Sequence, residues 1–288
     1  MYRQQRVHRV SSTAVFGQGQ KTTRYRGVVV SNAGVLPRFF LFYVRHRMSN
    51  ILSFYDKIIT MREKPDRDQI YHVFNRGVEK RIIFTNDNDR RRFISCLYFF
   101  NDLNPTDNIC RLFDIGCRTN DKRKKLVEIL AFVLMDNHFH LLVKPLIKDG
   151  LSEFMKKLGI GYTKYFNIKY QRVGPLFQGK YKFVLMETDE QLSYIPHYIH
   201  LNPVEIIEKK WKDKDIANSQ KVFDFAKSYR WSSLSDYLGD NQFKNIINKN
   251  ILFDQICDHE EYKKDVLDWL TSIDSSLVVD EMSDLMLE

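Results

Sequence analysis

The stretch LVEILAFVLMDNHFHLLVKP, residues 126 to 145, consists of two apolar runs joined by Asp136 and Asn137, residue types that favour a tight turn. The pattern predicts an antiparallel hairpin. His138 and His140 sit two positions apart on the second run, and alternation along a strand directs both imidazoles to one face. Taken alone, the pair reads more readily as core histidines, because a neutral ring is accommodated by a single hydrogen bond. The other reading is that the two rings hold something.

Working outward, QIYHVFNRG (69–77) reads as a strand ending at Gly77, and DNDRRRFISCLYFFNDL (87–103) as an amphipathic helix. A loop rich in turn residues and basic groups, 104–125, leads into the hairpin. Beyond it, LSEFMKKLGIGYTKYFNIKYQ (151–171) is helical, with Leu151, Phe154, Leu158 and Tyr162 or Tyr165 along one side. Gly159 and Gly161 weaken it locally. FQGKYKFVLME (177–187) reads as a strand, and TDEQLSYIPHYIHLNP (188–203) as a helix opened by Thr188 or Asp189 and kinked or restarted at Pro196. Strand, helix, hairpin, helix, strand, helix is the order of an α+β fold with helices packed on an antiparallel sheet. One core domain is expected at 66–210. Residues 211–288 form a C-terminal helical extension, with WSSLSDYLG (231–239) as a packed element and an acidic end.

The 288 residues carry 43% hydrophobic and 14% aromatic side chains, enough for a sizeable core. Cys96, Cys110, Cys117 and Cys257 form no CxxC pair, so a reducing compartment without disulfides is expected. The nearest approach to a membrane span is VLPRFFLFYV (35–44), short and interrupted by Arg38. A cytoplasmic, membrane-free protein is therefore expected. The net charge of +9 is concentrated in residues 1–60, which hold ten Lys or Arg and one acid, leaving 35 of the 45 basic and 35 of the 36 acidic residues in 61–288. Any nucleic-acid surface in the body must come from local segregation of charge. Residues 1–65 read as a disordered extension, and sequence translated upstream of an internal start at Met48 or Met61 is the favoured account of them.

If the histidines bind a metal, further ligands must come from elsewhere in the chain. A helix that carried both a nucleophile and a ligand would place them three or four positions apart. Among the tyrosines from 141 to 210, only Tyr198 has an oxygen ligand four residues on, Asn202. Tyr237 and Asn241 also pass by count, but Gly239 and Asp240 lie between them and end the helix. His197 and His200 compete as ligands from other sides of the helix. A packed aromatic at Tyr198 and a helix-terminal residue at Asn202, before Pro203, remain ordinary readings of the same residues.

Six ordered blocks, YHVFNRG (71–77), NHFHLLVKP (137–145), YTKYFN (162–167), GPLFQGKYK (174–182), YIHLNPVE (198–205) and YRWSSLSDYLG (229–239), resemble the REP-associated tyrosine transposases. These are a branch of the one-tyrosine HUH transposases, the insertion-sequence-like enzymes of single-stranded DNA. The resemblance covers about 66–240 and has no counterpart for residues 1–60; the 104–125 loop varies within the family. It implies a ferredoxin-like or RRM-like sheet with the histidines on a central strand. It further implies a divalent cation, Mg²⁺ or Mn²⁺, held by His138, His140 and Asn202, and Tyr198 as the catalytic nucleophile forming a 5′-phosphotyrosine. The implied partner is single-stranded DNA with palindromic hairpins, bound by a monomer or homodimer. Candidate phosphate contacts are Arg76, Lys80, Arg81, Lys164, Arg172, Lys180 and Lys182, with neighbouring aromatics for stacking. A hairpin-DNA binding protein without strand transfer is the alternative.

Overall fold

Apolar residues at alternating positions build the sheet, and their register decides which face each histidine occupies. In the computed structural model, residues 65–104, 123–209, 211, 216, 218–253 and 258–271 are described. The rest of the N-terminal extension, most of the 104–125 loop, Cys110, Cys117, Cys257 and the acidic end lie outside them. Four strands, β1 (Tyr71–Arg76), β2 (Val127–Leu134), β3 (His138–Pro145) and β4 (Lys182–Leu185), form an antiparallel sheet in the order β2-β3-β1-β4. The predicted hairpin is β2 and β3, turning through 135–137, and β3 is central, between β2 and β1. The α+β class and the helix-covered antiparallel sheet agree with the expectation from sequence.

Three helices cover this sheet: α1 (Asp87–Phe99), α2 (Gly150–Lys169) and α3 (Asp189–Leu201). Asn86 caps α1 by accepting from the amides of Asn88 and Asp89, and Thr188 caps α3 by accepting from the amide of Gln191. Phe93 of α1 meets Phe139 of β3 at 4.9 Å between ring centroids and Tyr162 of α2 at the same distance. These contacts put α1 and α2 on the face that carries Phe139. On the opposite face Tyr198 of α3 lies 5.6 Å from the His140 ring. The histidines thus look toward α3 and the helical pair covers the other side.

The helix runs through Pro196 without ending. Gly161, read as a weak point of α2, has a steric reason: a Cβ there would fall 2.1 Å from Cζ of Phe100, so the glycine admits the end of α1. The strand expected at 177–187 is shorter, Lys182–Leu185. Before it the pairing with β1 continues only as an isolated bridge, Gly77 with Phe177, and Phe177 meets Phe139 at 5.9 Å on the helix-covered face.

A buried carboxylate holds α1 to α2. Asp89, with no exposed surface, accepts from the amide of Thr85, the hydroxyls of Tyr165 and Tyr170, and the ammonium of Lys169 at 2.6 Å. Burial raises its pKa, but the hydrogen bonds from Lys169, Tyr170 and Tyr165 outweigh it and hold the carboxyl below its ordinary value.

The described residues beyond 210 include α4 (Ser219–Ser228), α5 (Leu234–Tyr237), α6 (Asn250–Phe253) and α7 (His259–Thr271). They pack on α3 and β2. His200 meets the Tyr262 hydroxyl at 2.6 Å and the Ser233 hydroxyl at 2.8 Å, and Ser233 Oγ accepts from the amide of Phe132. Trp231 and Leu234 of the segment expected to pack are buried. Among the described residues no helix is long and apolar enough to cross a membrane.

Candidate active site

Antiparallel register assembles the site. In β3, alternation points His138 and His140 to the α3 face, and pairing places Arg76 opposite His138 and Phe74 opposite His140. The two imidazole centroids are 5.0 Å apart. At the far end of α3, backbone geometry turns from α-helix to a 3-10 turn, Asn202–Ile206, at the expected stop before Pro203. Asn202 there is almost wholly buried, and its Oδ1 lies 3.2 Å from His138 Nε2. Three of the predicted site residues, from elements some sixty positions apart, therefore converge with Tyr198.

Both ring nitrogens of His138 face amide oxygens, so one of the two contacts is a hydrogen bond and the other brings two lone pairs together. His138 Nδ1 is 2.6 Å from Asn137 Oδ1, and with Nδ1–H donating there the Nε2 lone pair points toward Asn202 Oδ1. Two lone-pair donors converging at this distance suit a shared cation. Two imidazoles and an amide oxygen can together serve a divalent cation, with oxygen ligands completing the shell. Among the described residues no cluster of three or more His, Cys, Asp or Glu could hold a metal ion, and the further donor beside the two histidines is the amide oxygen of Asn202.

His140 has a partner the sequence reading did not single out. His72 of β1 stacks on it with centroids 5.0 Å apart, and its Nε2 lies 2.9 Å from His140 Nδ1. If His140 donates Nδ1–H to His72, its own Nε2 is left as the ligating atom, the arrangement in which an outer histidine orients an inner one. The signal was present in YHVFNRG, where alternation puts His72, Phe74 and Arg76 on one face, but only the β1–β3 register shows that this face is the histidine face.

Tyr198 is 2% exposed, edge-on to His72 and His140 and stacked on Trp211 at 6.1 Å. Burial, with Tyr194 and Glu205 nearby, pushes its phenol above the ordinary value of 10, and a hydrogen bond with Asn202 opposes the shift. His197 and His200 point away from it: His197 stacks on Tyr262 at 5.2 Å, and His200 is held by Tyr262 and Ser233.

Residues 116–202 match the family model described as "Transposase IS200 like". The chain is similar to IS200-like transposases across the segment that carries both histidines, the tyrosine and the asparagine. A solved structure entitled "Structure of the REP associates tyrosine transposase bound to a REP hairpin" is similar over 62% of this chain and 85% of its own, with 14% identity and a TM-score of 0.39. No curated protein matches the chain significantly.

The cations expected to meet DNA fall into separate groups. Arg76 and Lys182 share the histidine face, since Arg76 pairs with His138 and Lys182 with Phe74. Arg76 also donates to Gln178. Lys80 and Arg81 follow β1 in a short 3-10 turn, where Glu79 and Lys80 take positive φ. Arg172 is held by Asn167 after α2. Lys164 and Lys180 line a cavity between α2 and the 174–181 segment, on the other face of the sheet.

Buried neutral histidines make stability depend on pH. Burial lowers His72 from its ordinary 6.5 to about 3, and lowers His200 well below 6.5, with His197 adding to the shift. The unfolded chain takes up protons below about pH 6.5 while the folded one does not, so this stability is complete above that pH and is lost as pH falls toward 3. With chelator present, His72 is expected to cost about 1.4 kcal/mol per pH unit over that window, and His200 adds to the loss in the same direction. Thermal unfolding followed by circular dichroism at pH 7, 6 and 5 measures it, and a constant midpoint would contradict it.

Proposed function

We propose that this chain is a divalent-metal-dependent, single-stranded DNA endonuclease and transposase that cleaves and rejoins strands at hairpins through Tyr198. The observation that carries the reading is the meeting of His138, His140 and Asn202 from β3 and the end of α3 around Tyr198. The six motifs support the substrate class, and the IS200-like match over 116–202 supports the reaction class. Such a reaction belongs in the cytoplasm, where a cellular chromosome is accessible.

His138, His140 and Asn202 would hold the cation, which polarises the scissile phosphate and offsets charge on its oxygens. Tyr198 Oη bonds to phosphorus as the P–O3′ bond breaks; the phenolic proton is given up and the leaving 3′ oxygen takes one. The products are a 5′-phosphotyrosine and a free 3′-hydroxyl, and attack by a 3′-hydroxyl on the phosphotyrosine rejoins a strand without external energy. His72 keeps His140 in its ligating tautomer. Because Tyr198 is buried, its hydroxyl becomes reachable only when residues packed around it move.

Incubation of a labelled hairpin oligonucleotide with the protein and Mn²⁺ is expected to give a covalent adduct resistant to denaturant. Binding with no adduct under any metal would leave the alternative, hairpin binding without strand transfer, which the burial of Tyr198 favours. A second expectation concerns the metal itself. Mn²⁺ at a hundred times its dissociation constant stabilises the fold by about 2.7 kcal/mol, read as a raised unfolding midpoint. His138→Ala, at a half-buried position, removes that rise; an unchanged rise would place the metal elsewhere.

A further inference from the structure

A second feature of the molecule lies on the sheet face away from Tyr198. Between α2 and the 174–181 segment is an open cavity of about 790 Å³, roofed by α2 and floored by Phe139, Leu176 and Phe177. Phe139 alternates with His138 and His140 on β3, so the two sites occupy opposite sides of one strand. Tyr181 forms one wall, its hydroxyl held 3.2 Å from Ser152 Oγ, with Lys180 Nζ 5.5 Å from its ring centre. Lys156 and Lys164 stand on the opposite lip; Lys156 lies 3.8 Å from Glu153 of the same helix, and among the described residues no Asp or Glu lines the cavity itself. Ile160, on the same stretch of α2, is 63% exposed.

From this arrangement we propose that the cavity takes an unpaired nucleobase of the DNA strand, with the flanking phosphates on Lys164 and Lys180. The inference rests on the reading of the chain as a single-strand DNA enzyme and adds a base-binding site remote from the reacting phosphate. The chemistry selects the occupant. An apolar cavity lined by the rings of Phe139, Phe177 and Tyr181 favours a planar ring, which stacks whatever its sequence. Lys164 and Lys180, with no carboxylate among the lining residues, favour an anion attached to that ring. A nucleotide within a strand carries both, whereas an apolar peptide segment would leave the lysines without a counter-charge.

Gly159 offers a clean block. It lines the cavity, and a Cβ added there meets nothing within 4 Å, so Gly159→Trp fills the slot without adding charge and replaces a weak helix former. The full chain and this variant are tested against a twelve-nucleotide oligothymidine carrying 5-iododeoxyuridine, by fluorescence anisotropy and by photocrosslinking with peptide mapping. The expected result is a crosslink to Tyr181 or Phe177 that disappears in Gly159→Trp, with binding weakened by about tenfold. Lys164→Ala with Lys180→Ala is expected to weaken binding and flatten its dependence on salt. Equal affinity of Gly159→Trp together with crosslinks confined to the Tyr198 face would overturn the cavity while leaving the proposed strand transfer standing. Absence of any single-strand binding by the unaltered chain would overturn both.

Discussion

Tyr198→Phe is expected to abolish the covalent DNA adduct while leaving hairpin binding and the fold largely as they are. The substitution removes one oxygen. If that oxygen is the nucleophile, cleavage falls by at least roughly a thousandfold, because no neighbouring group can form the same bond. His197 and His200, the next side chains along the helix, are engaged with the C-terminal helix and Ser233 and face away from β3. The structural cost includes the hydrogen bond with Asn202, about 1 kcal/mol, while the buried ring keeps its contacts with His72, His140 and Trp211. Adduct formation is read on a denaturing gel, and stability by thermal unfolding. An adduct that persists in the variant would remove Tyr198 from the reaction.

The largest expected loss of stability is at Asp89. Asp89→Ala leaves the Lys169 ammonium, two tyrosine hydroxyls and the amide of Thr85 facing an empty, dry site, and the loss expected for removing one partner of a buried ion pair is roughly 3–5 kcal/mol. Lys169 is partly exposed and recovers some hydration, which places the expectation toward the lower end. Asp89→Asn keeps the shape and part of the acceptor capacity and should cost less. Urea unfolding of the three proteins decides it; a change under about 1 kcal/mol in Asp89→Ala would show that the network carries little of the fold's stability.

Legibility differed sharply between these two places. The residues DNDRRR open the stretch read as an amphipathic helix, and nothing in that pattern separates a buried carboxylate from a solvated one. Its burial arises because Tyr165, Lys169 and Tyr170 at the end of α2 arrive beside it from eighty positions away. The hairpin was legible because two apolar runs around a turn are a local pattern. Strand β4 was only half legible: the strand read at 177–187 is continuous only over Lys182–Leu185, and Phe177 makes an isolated bridge with Gly77. Gly161 was read as a weakness of α2 and is the place where Phe100 fits.

The sequence by itself determined the hairpin, the common face of His138 and His140, the four-residue spacing of Tyr198 and Asn202, and the motif order, since alternation and helical periodicity are properties of neighbouring residues. Tertiary structure decided what those faces meet. Pairing of β1 with β3 brought His72 onto His140, the α3 packing set Asn202 against His138, and the segment after 210 laid Trp211 on Tyr198. Each of these contacts joins positions far apart in the chain, and it depends on strand register and helix docking, which no short stretch of residues encodes alone.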